Sequence, residues 1–479
     1  MMTPVINSRQ NFKLHDIVGL TLILISSILL GIWAVKGTIA LRNILLGVGT
    51  PLSIFYCYQY FKFNQQKIPF KNFIPIILIG LMFCWIIFHY LFLSRFPEIQ
   101  LQELKSTWFR TLLASIIGFG TGLAVLKRPN AINFLWLGIL ASFLYLLFKY
   151  IPFVISARKI FYYDFHYRIS EQFIFTGKIG GVLVGTILIA GLLGTLLDRL
   201  SAQSAKFIIV MFAFWLIGTS IALYVYVYIL DSRNGIGIVL IIYGAVTLKF
   251  VMQMGLSVLV NRDFSGANKI IIFILLIMVV AVWFTYQQTK INPGWATMLT
   301  DFNVAIQLDK FLNWRDPSRF GYPWSDEGAA VARNTYERIA WATAGIKIFI
   351  PENPFGVGIT SNSFGILMGE KYAASGNYVL STHSAWIDMA LAFGIPSLVM
   401  TLGALISIFT IAIMSNGPFR YLSAILSFAI VILYAVGELS SKHAIEILYF
   451  LIALTSSLLF QMPLLDQERS KDVNRINSG

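Results

Sequence analysis

With 479 residues, 57% of them hydrophobic and only 12% charged, and a mean hydropathy of +0.75, the chain has more apolar surface than one water-soluble core can bury. This excludes an ordinary soluble protein and indicates an integral membrane protein. The formal charge of +14 would suggest nucleic-acid binding in a soluble chain, but here the basic residues are dispersed over short links between apolar runs, so no nucleic acid is expected as a partner.

Cys57 and Cys84 lie inside apolar runs, which supports neither a disulfide framework nor a thiolate metal site. The first apolar run begins near Asp16 and is longer than a signal-peptide core, with no persuasive cleavage site, so it is expected to remain as a span. In chain order, runs long enough to cross a hydrocarbon layer fall near 16–35, 38–61, 74–94, 131–155, 179–197, 207–230, 236–260, 270–287, 385–414, 422–439 and 444–465. A shorter run at 111–126 brings the expectation to about twelve transmembrane helices. The predicted organisation is nine spans over 1–287, a loop domain over 288–384, three spans over 385–465 and a tail over 466–479.

An even number of spans puts both termini on one side and the long loop on the other. Lys62, Lys67, Lys71, Lys127, Arg128, Arg469, Lys471 and Arg475 then mark the cytoplasmic side. The opposite links also carry cations, namely Arg95, Lys105, Arg110, Arg158, Lys159, Arg168, Lys178 and Arg233. These are either ordinary scatter or a face that receives an anionic lipid head group. Gly181-x-x-x-Gly185 and the group Gly118, Gly120 and Gly122 have the spacing of close helix packing rather than of a phosphate loop.

The loop interleaves Trp295, Trp314, Phe320, Tyr322, Trp324, Tyr336, Trp341, Tyr372 and Tyr378 with charges of both signs, so it is expected to fold. Its rings suit either stacking on sugars or an interfacial belt. Ser325, Asp326 and Glu327 read as a helix start, the helix is predicted to run to Ile350 with Arg333, Arg338, Trp341 and Lys347 on it, and Pro351 should end it. Asn353-Pro354-Phe355-Gly356-Val357-Gly358 reads as a tight turn.

Three residues facing one compartment are candidates for chemistry: Arg233 between two spans, Arg338 on the loop helix, and His383 where a span resumes. An arginine fork stays charged and can grip two phosphate oxygens; alternatively Arg233 snorkels or pairs with Asp231, and Arg338 forms a helix-surface ion pair. Histidine is the side chain that changes charge nearest neutrality, so it suits proton removal from a hydroxyl, although His383 also fits a helix start bonded to backbone. Asp388 is a further candidate for orienting His383, while His15, His89, His166 and His443 fit structural roles better. The chain has no Asp-x-Asp, His-Glu-x-x-His, Cys-x-x-Cys or Gly-x-x-x-x-Gly-Lys, so no metal or cofactor is expected and arginines would have to carry the leaving-group charge of a lipid diphosphate.

Ser232-Arg233-Asn234-Gly235, Arg338 with Trp341, Pro354-Phe355-Gly356-Val357-Gly358, and His383-Ser384 followed after nine residues by Gly394 together resemble the O-antigen ligase and polymerase superfamily of bacterial inner membranes. The motifs cover roughly 205–415. One position departs from the ligase pattern, Ser397 standing where Gly, Thr or Tyr is usual. The resemblance implies a GT-C-like, all-α membrane glycosyltransferase that moves a glycan from undecaprenyl diphosphate to lipid A-core on the periplasmic face, without a metal and with inversion. Arg233 and Arg338 would hold the diphosphate and His383 would be the general base, with Arg315, Arg319 and Arg333 as candidates for assisting Arg338. Polymerases and protein O-oligosaccharyltransferases are relatives, so those activities stay open. A lipid-linked sugar flippase fits less well, because the candidate charges gather at one face and the long loop has no role in rocking-bundle transport.

Overall fold

A computed structural model describes residues 6–63, 68–158, 174–200, 205–261, 297–325, 330–372, 381–437 and 442–460, together with Tyr286 and Gly328. The predicted span at 270–287 lies outside the described residues except for Tyr286, as do Lys159, His166, Arg168, Trp295, Tyr378 and the tail. Among the described residues the chain is helical, with two isolated bridges and no strand. Nine helices among the described residues are long and apolar enough to cross a membrane, so the protein is an all-α, multi-pass membrane protein.

The bundle comprises α1 (Ile6–Ile32), α2 (Ile39–Phe63), α3 (Ile74–Phe92), α4 (Pro97–Lys127), α5 (Ile132–Ala157), α6 (Lys178–Arg199), α7 (Ala205–Tyr224) and α8 (Arg233–Asn261). The loop domain contributes α9 (Met298–Ala305), α10 (Arg333–Ala344) and α11 (Ser363–Tyr372), after which α12 (Ala385–Met414), α13 (Arg420–Ala435) and α14 (Lys442–Leu458) return to the bundle. The last two are shorter than the spans expected at 422–439 and 444–465.

Helix polarity alternates, and side-chain contacts fix which links share an end. At one end Asp16 meets Arg128, Asn72 meets the Leu459 carbonyl, and Asp198 accepts from the amides of Tyr421 and Leu422. At the other end Ala34 and Lys36 pair with Thr176 and Ile174 through the backbone, Lys178 meets Asp231, and Arg338 reaches the Val436 carbonyl. The loop domain sits at this second end.

Glycines set the helix spacing, as their pattern suggests. A Cβ on Gly118 would lie 2.3 Å from the Phe450 carbonyl oxygen, and one on Gly122 2.6 Å from that of Leu454, so α4 and α14 touch backbone to backbone. Gly181 and Gly185 in α6 admit Leu230 and Tyr226 from the end of α7 in the same way.

Two predicted elements are corrected. The run at 111–126 is the C-terminal part of α4, a 31-residue helix. Its first turns include Gln100 and Glu103, which look like link residues but are buried because they bond inward. The loop helix begins at Arg333 rather than Ser325: the chain first reverses through Gly328 at φ +76°, with Trp324 bridging Ala330 and Val331 N–H donating to the Pro323 carbonyl. Nor does Pro351 end the run, because a π turn over Gly345–Phe349 carries the helix on to Glu352.

The loop domain has its own core, with Trp314, Tyr336, Trp341, Phe349, Phe364, Leu367 and Met368 packed onto Ile387 and Leu391 of α12. It is locked to the bundle where α12 breaks. Gly394, at φ 79° and ψ 178°, adopts a backbone that side-chain-bearing residues essentially never take. The break lets Val357 and Gly358 N–H donate to the Leu391 and Ala392 carbonyls, and Ile395 N–H to that of Pro354. A Cβ on Gly394 would lie 2.4 Å from Phe355 Cα, and one on Gly356 2.5 Å from the Ala392 oxygen. The Ser397 hydroxyl lies 2.8 Å from the Gly394 carbonyl and 3.1 Å from that of Met389, tying the two sides of the break together.

Gly394→Ala should therefore destabilise the protein by about 2 kcal/mol or more, read as a lower midpoint of thermal unfolding in detergent. Gly80→Ala, in open space within α3, should be neutral or slightly stabilising in the same assay.

Candidate functional site

The turn between α7 and α8 explains why Ser232-Arg233-Asn234-Gly235 has that sequence. A π turn over Val225–Ile229 ends α7, Asp231 follows at φ +44°, and the Ser232 hydroxyl accepts from Gly235 N–H at 3.1 Å as an N-cap. Gly235 is required because a Cβ there would sit 2.8 Å from the Tyr226 ring. Arg233 thus stands at the first turn of α8.

Lys178 stands at the first turn of α6, after Gly177 at φ +95°. Its Nζ is 4.0 Å from Asp231 Oδ2, and it interacts electrostatically with Arg233 and Arg338 as well as with Asp231. Three cations and one carboxylate therefore collect where two helices begin. Helix N-termini carry partial positive charge, so they add to the cations rather than offsetting them. Cations grouped beside helix N-termini are suited to an anion.

His383 lies one turn of α10 further along. Its ring stacks on Trp341 with centroids 5.5 Å apart and planes 19° from parallel, and Trp341 is three residues from Arg338 and so on the same helix side. Trp341 is itself buried, its Nε1 donating to the Trp314 carbonyl at 3.0 Å. The ring therefore serves as the backing of His383, not as an open platform for a sugar.

The backbone of His383 is left-handed, with φ +59°. Asp388 accounts for this: its Oδ1 accepts from Thr382 N–H at 2.9 Å and lies 2.8 Å from the Thr382 hydroxyl, which in turn accepts from Ser384 N–H at 3.3 Å. Asp388 thus orients the turn that carries His383. Gly345 permits the approach of α10, since a Cβ there would lie 2.5 Å from Ile387 and 3.2 Å from Thr382. The left-handed residues other than glycine among those described are Arg158, Asp231 and His383; two of the three lie in this region, and strained backbone concentrates at functional sites.

The remaining candidates separate. Arg333 bonds Glu337 at 3.2 Å, and Glu337 also accepts from Tyr322 at 2.5 Å; burial, then Glu337, pushes the Tyr322 phenol up to about 12. Arg315 lies over the rings of Tyr372 and Trp314, and Arg319 over Phe320. The structure gives none of these three a contact with Arg338. Of the cations on the loop side, Arg95 pairs with Glu370 at 3.0 Å, and Arg110 pairs at 2.6 Å with Glu446, which also accepts from Trp33 and lies near Arg42. Arg110 is therefore part of the bundle's buried polar framework.

Sequence reasoning singled out neither Lys178 as a site residue nor Glu103 as a positioning one. Glu103 accepts from Thr360 N–H, Ser361 N–H and the Ser361 hydroxyl at 2.7, 3.0 and 2.7 Å, fixing the segment that follows Gly358. The sequence signal for Lys178 was its place among the loop-side cations, at a span start beside Gly177. Among the described residues no group of three or more His, Cys, Asp or Glu side chains comes together.

No protein-family model matches this chain, and no curated protein matches it.

Asp388→Ala should leave the Thr382 amide without its buried partner, lowering stability by about 1–3 kcal/mol. It should also free the His383 turn, so that diethyl pyrocarbonate labels His383 faster, as followed by mass spectrometry.

Proposed function

We propose that the protein is a glycosyltransferase that uses a lipid-diphosphate-linked glycan, and within that class an O-antigen ligase acting at the periplasmic face of a bacterial inner membrane. The observation that carries this reading is the sharing of α10 between two parts of the site: Arg338 joins the cations at the starts of α6 and α8, and Trp341, one turn on, backs His383. A diphosphate and a proton acceptor are what transfer from undecaprenyl diphosphate to a sugar hydroxyl requires. About twelve spans, with the loop domain on the periplasmic side, complete the proposed layout.

In the proposed reaction the hydroxyl oxygen of lipid A-core attacks the anomeric carbon of the donor glycan. A ring nitrogen of His383 takes the hydroxyl proton, a contribution of ~10²–10⁴ in rate. The bond from the anomeric carbon to the phosphate oxygen breaks, and its electron pair leaves with undecaprenyl diphosphate. Arg233 and Arg338 stabilise the charge that grows on that leaving group. Attack opposite the leaving group inverts the configuration of the transferred sugar.

The test is glycan profiling in a bacterial strain deleted for this protein and complemented with wild type or His383→Ala. Polymer on undecaprenyl diphosphate with bare core in the His383→Ala strain, alongside normal protein levels in the membrane, supports the ligase. Core carrying a single repeat unit would indicate a polymerase, glycan missing from protein an O-oligosaccharyltransferase, and loss of lipid-linked glycan from the outer leaflet a flippase. A wild-type profile would remove His383 from the mechanism. Arg338→Lys should lower kcat/KM by about tenfold or more, because an ammonium cannot form the two-pronged contact.

A further inference from the structure

We infer that Lys178 is a third cation of the diphosphate site; the inference rests on the lipid-diphosphate reading above. The Lys178 side chain retains 34% of its exposure and Asp231 29%, so the pair lies at an opening and not in the packed interior. Their separation of 4.0 Å is at the limit of an ion pair. This contrasts with Arg110 and Glu446, where the distance is 2.6 Å and the carboxylate is 1% exposed. Lys178 is therefore held near its position without being consumed by its partner.

The neighbouring groups point the same way. On α6 itself the first turn is Lys178-Ile179-Gly180-Gly181, where the glycines bring no bulk. From the α7–α8 turn come Asp231 and Arg233, and from α10 comes Arg338. Among the described residues Asp231 is the carboxylate that meets Lys178, with Arg233 and Arg338 as the neighbouring cations, a grouping that suits an anion such as a diphosphate. Two arginine forks suit the oxygens of one phosphoryl group, while a lysine, a compact charge on a flexible stem, suits the other.

The structural alternative is that Lys178 serves only to neutralise Asp231. The two roles give opposite results for Asp231→Asn, which removes the carboxylate but keeps the lysine. Binding to the detergent-solubilised full chain would be measured by calorimetry with farnesyl diphosphate, farnesyl monophosphate and inorganic pyrophosphate. Wild type should bind the prenyl diphosphate most tightly, whereas an equal affinity for inorganic pyrophosphate would overturn a lipid-diphosphate ligand.

Lys178→Met, close in shape but uncharged, should weaken farnesyl diphosphate binding by about tenfold or more and abolish most of its advantage over the monophosphate. Lys178→Arg should restore much of it, and Asp231→Asn should tighten binding severalfold. Lys178→Met with wild-type affinity, or Asp231→Asn losing affinity in parallel with it, would overturn the inference and leave the functional reading standing. Wild type without affinity for the prenyl diphosphate would overturn both. Should Lys178→Met fail to fold, Lys178→Gln decides on the same criteria.

Discussion

The contact between the break in α12 at Gly394 and the turn at Pro354–Gly358 is the constraint on which the arrangement of the candidate site rests. Two backbones approach so closely that neither Gly394 nor Gly356 can carry a Cβ; the Leu391 and Ala392 carbonyls accept from Val357 and Gly358 N–H, and Ile395 N–H donates to the Pro354 carbonyl. In a membrane protein, an irregular backbone at a helix break must find its partners in protein or water, because lipid offers none. The loop domain supplies them here. Docking at that point sets α10 against the start of α12, and so sets Trp341 against His383.

The electrostatic arrangement follows a similar logic. A cation at the edge of a membrane is tolerated when it is paired or reaches water. Arg110 illustrates pairing, meeting buried Glu446 together with Arg42 and Trp33 in a framework that ties α1, α2, α4 and α14. Lys178 illustrates the other condition, its side chain keeping 34% of its exposure beside Asp231. Lys178 and Arg233 stand in the first turns of α6 and α8, where the helix N-termini add to their positive charge.

Some motif residues act on the site without being able to do its chemistry. Ser232 caps α8, Gly235 makes room for Tyr226, and Asp388 holds the Thr382 turn. Glu103, far away in sequence, anchors the segment after Gly358. These contacts fix the backbone of the turns that carry Arg233 and His383. Arg233 and His383 thus stand at helix starts, and His383 is backed by the packed ring of Trp341.

The sequence by itself determined the all-helical membrane class, most of the span positions and the candidates Arg233, Arg338 and His383. Long apolar runs and the residue types that can bind phosphate or take a proton are local properties, legible without neighbours. It also carried the role of the glycine spacings in α4 and α6, since close packing needs small residues at one-turn intervals. The register of the loop helix was not legible: Ser325-Asp326-Glu327 is a good local start, yet the pairing of Trp324 with Ala330 and the packing of Tyr336 and Trp341 move the start to Arg333. Nor could the sequence distinguish Lys178 from Arg110, two basic residues in similar surroundings. Whether a cation is neutralised by a buried acid or left near an opening depends on which helices pack together, so tertiary structure alone pairs Arg110 with buried Glu446 and leaves Lys178 and Asp231 partly exposed.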